Sequence, residues 1–225
     1  MKMGPNSFRR QLMNARNSIL GIACCAAVAV AWYALMAPRL PGGAVGHAPQ
    51  GGSTPIQQGT VIGQVRFTNG DTATGGHGQP VAGIQAAVSE QIAYHIHAHL
   101  SLFDNGRQIA VPRGIGIVPP RVVQDGFVVG GRAFYWLHTH DATGIIHIES
   151  PIRRLYSLGQ FFAVWGEPLT GRDVAGMRGS VHAFLDGRPY HGNLRTIPLT
   201  AHAEITLEVG TPIVPPPRYI FPPGL

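Results

Sequence analysis

Apolar and polar positions alternate without a break from Tyr94 to Leu102. Tyr94, Ile96, Ala98, Leu100 and Leu102 fall on one side of an extended chain, and His95, His97 and His99 on the other. The period of two predicts a strand over 94–103 with one face in the core. Asn105 and Gly106 supply the positive φ angles of a tight turn, so a strand over 107–111 should pair back antiparallel. A second hairpin is predicted from strand 133–140, a polar turn over 141–144 and strand 145–149. A third lies in "VHAFLDGRPY" and turns at Asp186 and Gly187; it weakly echoes "LSLFDNGRQI", as a duplicated hairpin would. Residues 60–67 and 201–209 also read as strands. Over 157–166 the pattern becomes that of a short helix, with Ser157 as N-cap and Gly166 as terminator. The pattern therefore predicts a mainly β domain: an antiparallel sandwich or barrel-like sheet built from hairpins, with one short helix.

Upstream the pattern is different. Residues 19–36 carry no charge, and Trp32 and Tyr33 sit near the far end of the run. As a helix this stretch is about 27 Å long, enough to cross a bilayer core. Lys2, Arg9, Arg10 and Arg16 precede it and only Arg39 follows closely, so the N-terminus is expected to stay in the cytoplasm. The expected organisation is a basic cytoplasmic head (1–18), a single transmembrane signal-anchor helix (19–37) and a Gly/Pro-rich linker (38–59). A histidine-rich β domain (60–210) and a Pro-rich tail (211–225) follow. The competing reading is a signal peptide cleaved at "AVA" (29–31), which would release a secreted form. Both put the β domain outside the cytoplasm, the first as a single-pass protein of the inner cell membrane facing the periplasm.

Composition removes several functions. Hydrophobic residues make up 44% and charged ones 12%, which suits a packed β core. Of 17 basic residues four lie in the head, and the 13 that remain nearly balance 11 acidic ones. No basic stripe interleaved with aromatics is present, so nucleic acid is not an expected partner. Both cysteines, Cys24 and Cys25, lie in the apolar run. The exported part therefore has no disulfide, no thiolate zinc site and no blue-copper centre.

The chemistry points to the histidines. His95, His97 and His99 share a face at about 6.6 Å per step, and two histidines at i, i+2 reach one metal ion. In the second hairpin a four-residue turn places His140 opposite Ile145 and His138 opposite His147, with Cβ atoms about 5 Å apart. His138, His140 and His147 then form a triangle with Glu149 and Trp136 next along the face. Three imidazoles with a carboxylate behind them make a His₃ or histidine–carboxylate metal site. The bland alternative is a polar sheet face that happens to use histidine. Clustered imidazoles crowd and repel when charged, which weighs against it. His182, His191 and His202 read as satisfied core histidines, and His47 and His77 as loop residues. Cupin, metallo-β-lactamase, H-E-x-x-H, nucleophile-elbow and phosphate-loop patterns are not matched.

The segments "YHIHAHL", "YWLHTHDATGIIHIESP" and "LGQFFAVWG" resemble a set of exported bacterial and archaeal proteins, over roughly residues 83–210. The resemblance implies export and brings no established activity, cofactor or fold. The metal candidates are thus His95, His97, His99, His138, His140 and His147, with Glu149 and Asp141 as supporting groups. Imidazole and carboxylate donors suit copper(II), zinc or non-haem iron. Three functions stay open: a metal-binding or delivery domain, a metal-dependent oxygenase or hydrolase with Glu149 or Asp141 as acid/base, and an interaction module with structural histidines. A pocket of Trp136, Phe161, Phe162 and Trp165 around the histidines would mark the enzyme. Isolated ligands would lose metal as pH falls through about 6.

Overall fold

The computed structural model describes residues 52–225; the basic head, the apolar run and most of the linker lie outside the described residues. Among the described residues 39% are in strands and 6% in helix, so the protein is mainly β. No described helix is long and apolar enough to cross a membrane.

The principal sheet has seven strands: β1 (Tyr94–Asp104), β2 (Arg107–Ile109), β3 (Leu137–His138), β4 (Ile145–Ser150), β5 (Val181–Leu185), β6 (Arg188–Tyr190) and β7 (Glu204–Val209). Their order is β6-β5-β7-β1-β4-β3, with β2 also on β1. The path has two open ends, so it is not a closed barrel. Nor is it purely antiparallel, because β7 runs parallel to β1. A parallel pair needs a long crossover and has no local turn to announce it.

Where hairpin signals exist, they hold. Asn105 and Gly106 have φ of 50° and 76°, and Asp186 and Gly187 have 51° and 76°, as type I′ turns require. The helix α1 spans Leu158–Trp165. The Gln160 side chain accepts from the Ser157 amide at 3.1 Å, closing its first turn. At its far end Gly166 is left-handed at φ 83°. Ala98, Leu100 and Leu102 of β1, Ile146 and Ile148 of β4, and Ile205 and Leu207 of β7 are buried in one cluster with Phe161, Phe162 and Trp165 of α1. Each large side chain there contributes about 1.5–3 kcal/mol of burial. The alternation then commits the other face of the sheet to the polar residues.

Three expectations are corrected. Residues 60–67 form no strand, only isolated bridges at Val61 and Gln64; Gly63 interrupts them at φ 102°. The expected strand 133–140 is split. Ala133–Tyr135 joins a separate sheet with Ala86–Ala87 and Ile117–Val118, and only Leu137–His138 joins the principal one. Trp136 stands at the transfer, donating to the Gln85 carbonyl and accepting from the Glu149 amide. His182, His191 and His202 are exposed, not core residues. The tail packs onto the domain: Tyr219–Ile220 pairs with Thr54–Pro55, and the Val214 and Tyr219 amides donate to Glu208 and Glu204 at 2.8 and 2.6 Å. Glu204 and Glu208 lie on the polar face of β7, so the tail lies against one half of that face.

The turn into β4 is built on Gly144, at φ 93°, whose carbonyl accepts from the Leu100 amide at 2.9 Å. A Cβ there would stand 2.4 Å from the Leu100 carbonyl oxygen and 3.0 Å from His99 Nε2. Backbone strain and overlap act together, so Gly144→Ala is expected to cost about 3 kcal/mol in denaturant unfolding. A loss below about 0.5 kcal/mol would show that the turn relaxes freely.

Candidate metal centre

Three adjacent strands present the histidines in register. His97 on β1 faces His147 on β4, which faces His138 on β3. One rung along, His95 faces Glu149. The cross-hairpin pairing of His138 with His147 is the one the turn length predicts. The two histidine strands themselves are not neighbours; β4 lies between them and joins the sets through His147.

On one side four donor atoms close a ring. His95 Nε2 lies 3.0 Å from His97 Nε2, which lies 3.2 Å from His147 Nδ1. His147 Nδ1 lies 3.2 Å from Glu149 Oε1, and Glu149 Oε1 lies 3.1 Å from His95 Nε2. Donors with such separations surround a point about 1.9 Å away in a tetrahedral arrangement and about 2.2 Å away in a square one, a span that includes the metal–nitrogen bond of about 2.0–2.1 Å. His97, His147 and Glu149 are buried, and His95 alone of the four is exposed.

On the other side His138, His140, His147 and Glu149 form a second group, all four buried. His138 Nε2 and His140 Nε2 are 3.0 Å apart. Glu149 Oε2 is 3.9 Å from His138 Nε2. His138 Nδ1 donates to the Tyr135 carbonyl at 2.8 Å, and His140 Nδ1 donates to the Val128 carbonyl. A carbonyl only accepts, so in both neutral rings the proton sits on Nδ1 and Nε2 carries a lone pair. Phe127 stacks on His140 with ring centroids 4.5 Å apart and planes 3° from parallel, which fixes that ring further.

Electrostatics follow from burial. His138 and His147 are held well below the ordinary imidazole range by desolvation first and by neighbouring histidines second. His97 falls to about 4 for the same reasons, with His95 the chief neighbour. His140 is lowered by burial, against the pull of the Val128 carbonyl and Glu90. Burial pushes Glu149 up to about 7, and Glu90 adds to the rise. Neutral imidazoles are the form that binds metal.

The remaining candidates stand apart. His99 belongs to neither group: its Nε2 donates to the Thr143 carbonyl at 2.7 Å and its ring lies 4.2 Å from that of Tyr219. Asp141 builds the turn instead, accepting from the Gly59 amide at 2.8 Å and from the Thr143 amide and hydroxyl. Glu149 sits among the donors rather than behind them. Phe161, Phe162 and Trp165 are fully buried in the apolar core, not around the histidines. Glu90 is an addition to the expected set. Its Oε1 lies 3.4 Å from His140 Nε2, yet a single glutamate in the segment before β1 carries no sequence signal.

No protein-family model, no curated protein and no solved structure matches the chain.

Proposed function

We propose that this is an exported, membrane-anchored metal-binding protein whose histidine cluster takes a divalent transition-metal ion, copper(II) before zinc. The closed ring of His95, His97, His147 and Glu149, with every edge between 3.0 and 3.2 Å, carries the reading. Three imidazoles and one carboxylate, all nitrogen and oxygen donors without a thiolate, suit copper(II) as well as zinc. Zinc takes the same donors in a tetrahedral arrangement and is the second choice. The exposed edge at His95 gives the ion a way in and out, as loading or delivery requires.

The site is tested on the full chain, purified without a histidine tag and titrated with copper(II) and zinc(II) in a calorimeter. Tight binding that His97→Ala weakens at least tenfold is the expected result. Affinity indifferent to His97→Ala in both titrations would overturn the site. The anchor reading rests on the uncharged run over 19–36 and the basic residues before it. A reporter fused after Leu225 should be active only outside the cytoplasm, and activity inside would overturn the orientation.

A further inference from the structure

Filling the ring leaves three buried lone pairs without a proton among them. His138 Nε2 and His140 Nε2 face one another at 3.0 Å, and both rings have spent their one proton on backbone carbonyls. Glu149 Oε2 is buried and has no hydrogen-bond partner. His138 Nε2, itself without a proton, lies 3.9 Å from it. A cluster of buried acceptors without a donor is unfavourable, because each has lost its hydrogen bonds to water and gained none. Something positive, or something that donates, belongs between them.

We infer that the centre is binuclear: a second ion sits between His138 Nε2 and His140 Nε2, and Glu149 bridges the pair, Oε1 to the ring and Oε2 to the second ion. The inference rests on the reading of the cluster as a metal site. Both ligand groups contain His147 and Glu149, and a carboxylate has two oxygens to divide between two ions. Glu149 does so visibly, with Oε1 turned to His95 and His147 and Oε2 left on the side of His138. Donors about 2.1 Å from one ion stand about 3.0–3.4 Å from each other, for right-angled to tetrahedral arrangements. The His138–His140 separation of 3.0 Å and the His140–Glu90 separation of 3.4 Å both fall in that span. Glu90 thus brings a second carboxylate to the second ion, where one bridging charge would serve two dications poorly. Carboxylate-bridged pairs lie about 3.5–4 Å apart, near enough for two copper(II) spins to couple.

The deciding measurement is copper(II) stoichiometry of the tag-free full chain after desalting, with the electron paramagnetic resonance signal integrated on the same sample. Two ions per chain are expected, with an integrated signal well below two spins because the ions couple. His138→Ala and His95→Ala should each bind one ion and recover a full single-spin signal, each having lost a different site. Because the coupling is read on the parent protein, the result does not depend on either variant folding. One ion in the parent overturns the binuclear centre and leaves the metal site standing, whereas no ion overturns both. Two uncoupled ions, or two ions retained in His138→Ala, would place the second ion elsewhere and overturn the bridge. Water joining the acceptors beside a single ion is the rival arrangement, and it gives the one-ion result.

Discussion

Replacing His147 with alanine is expected to weaken copper(II) and zinc binding by on the order of 100- to 1000-fold. Four-ligand sites in small domains release roughly 10–16 kcal/mol on binding zinc, so one donor accounts for about 3–4 kcal/mol. His147 occupies the middle strand of the histidine row and belongs to both ligand groups. No other histidine has that position, so its loss should exceed the losses in His95→Ala and His140→Ala. His99→Ala is the informative control. It removes a histidine of the same polar face, yet one whose Nε2 is committed to the Thr143 carbonyl. Its affinity should stay within about twofold of the parent, while its unfolding midpoint falls. Calorimetric titration of both variants at about pH 7.5, above the ordinary imidazole range, makes the comparison. Equal affinities for His147→Ala and His99→Ala would reduce the cluster to a polar face that uses histidine.

The metal-free protein should lose stability steeply between pH 6.5 and about 4. His97 and His99 are each lowered from 6.5 to about 4, so their rings stay neutral in the folded state while the unfolded chain takes up protons. Every tenfold drop in proton affinity on folding corresponds to about 1.4 kcal/mol, so either residue alone costs about 3 kcal/mol by pH 4. His138, His140 and His147 act in the same direction. Glu149 opposes them. Its folded-state value is raised from 4.5 to about 7, so its contribution is present below pH 4.5 and is lost as pH rises through 7. Glu167 and Glu208, also raised by burial, act in the same sense as Glu149, but the five lowered histidines outnumber these carboxylates and the net effect is acid destabilisation. Metal reverses the sense of the Glu149 effect, because the bound carboxylate must be ionised. Affinity should therefore keep rising through about pH 7 and not level off just above 6, as unperturbed histidines would have it. Thermal unfolding from about pH 4 to 8, with and without zinc, reads both. A midpoint flat between pH 6.5 and 4.5 without metal would contradict neutral, buried rings.

Much of the candidate ligand set was legible because strand chemistry is local. Alternation puts His95 and His97 on one face whatever the rest of the chain does. The four-residue turn after His140 sets His138 against His147, and that register is observed. The tight turns at Asn105 and Asp186 and the caps of α1 are equally short-range. They need only neighbours in sequence, so the residues themselves specify them.

Contacts between distant segments were decided otherwise. Alternation treats His99 as the equal of His95 and His97, but in the sheet it faces Ile145, and the Thr143 carbonyl takes its nitrogen. Nothing near His99 announces that turn. The placing of β4 between the two histidine strands, the crossing of the chain between sheets at Trp136 and the parallel β1–β7 pair all rest on ladder partners far away in sequence. So does the arrival of Glu90 beside His140 and of the tail beside Glu204 and Glu208. Sequence by itself determined which side chains could share a face and that they were of the kinds able to hold a metal. Only the tertiary structure decided which of them meet, because a hairpin turn fixes one register, and a sheet assembled from separated strands is settled by the apolar face they bury together.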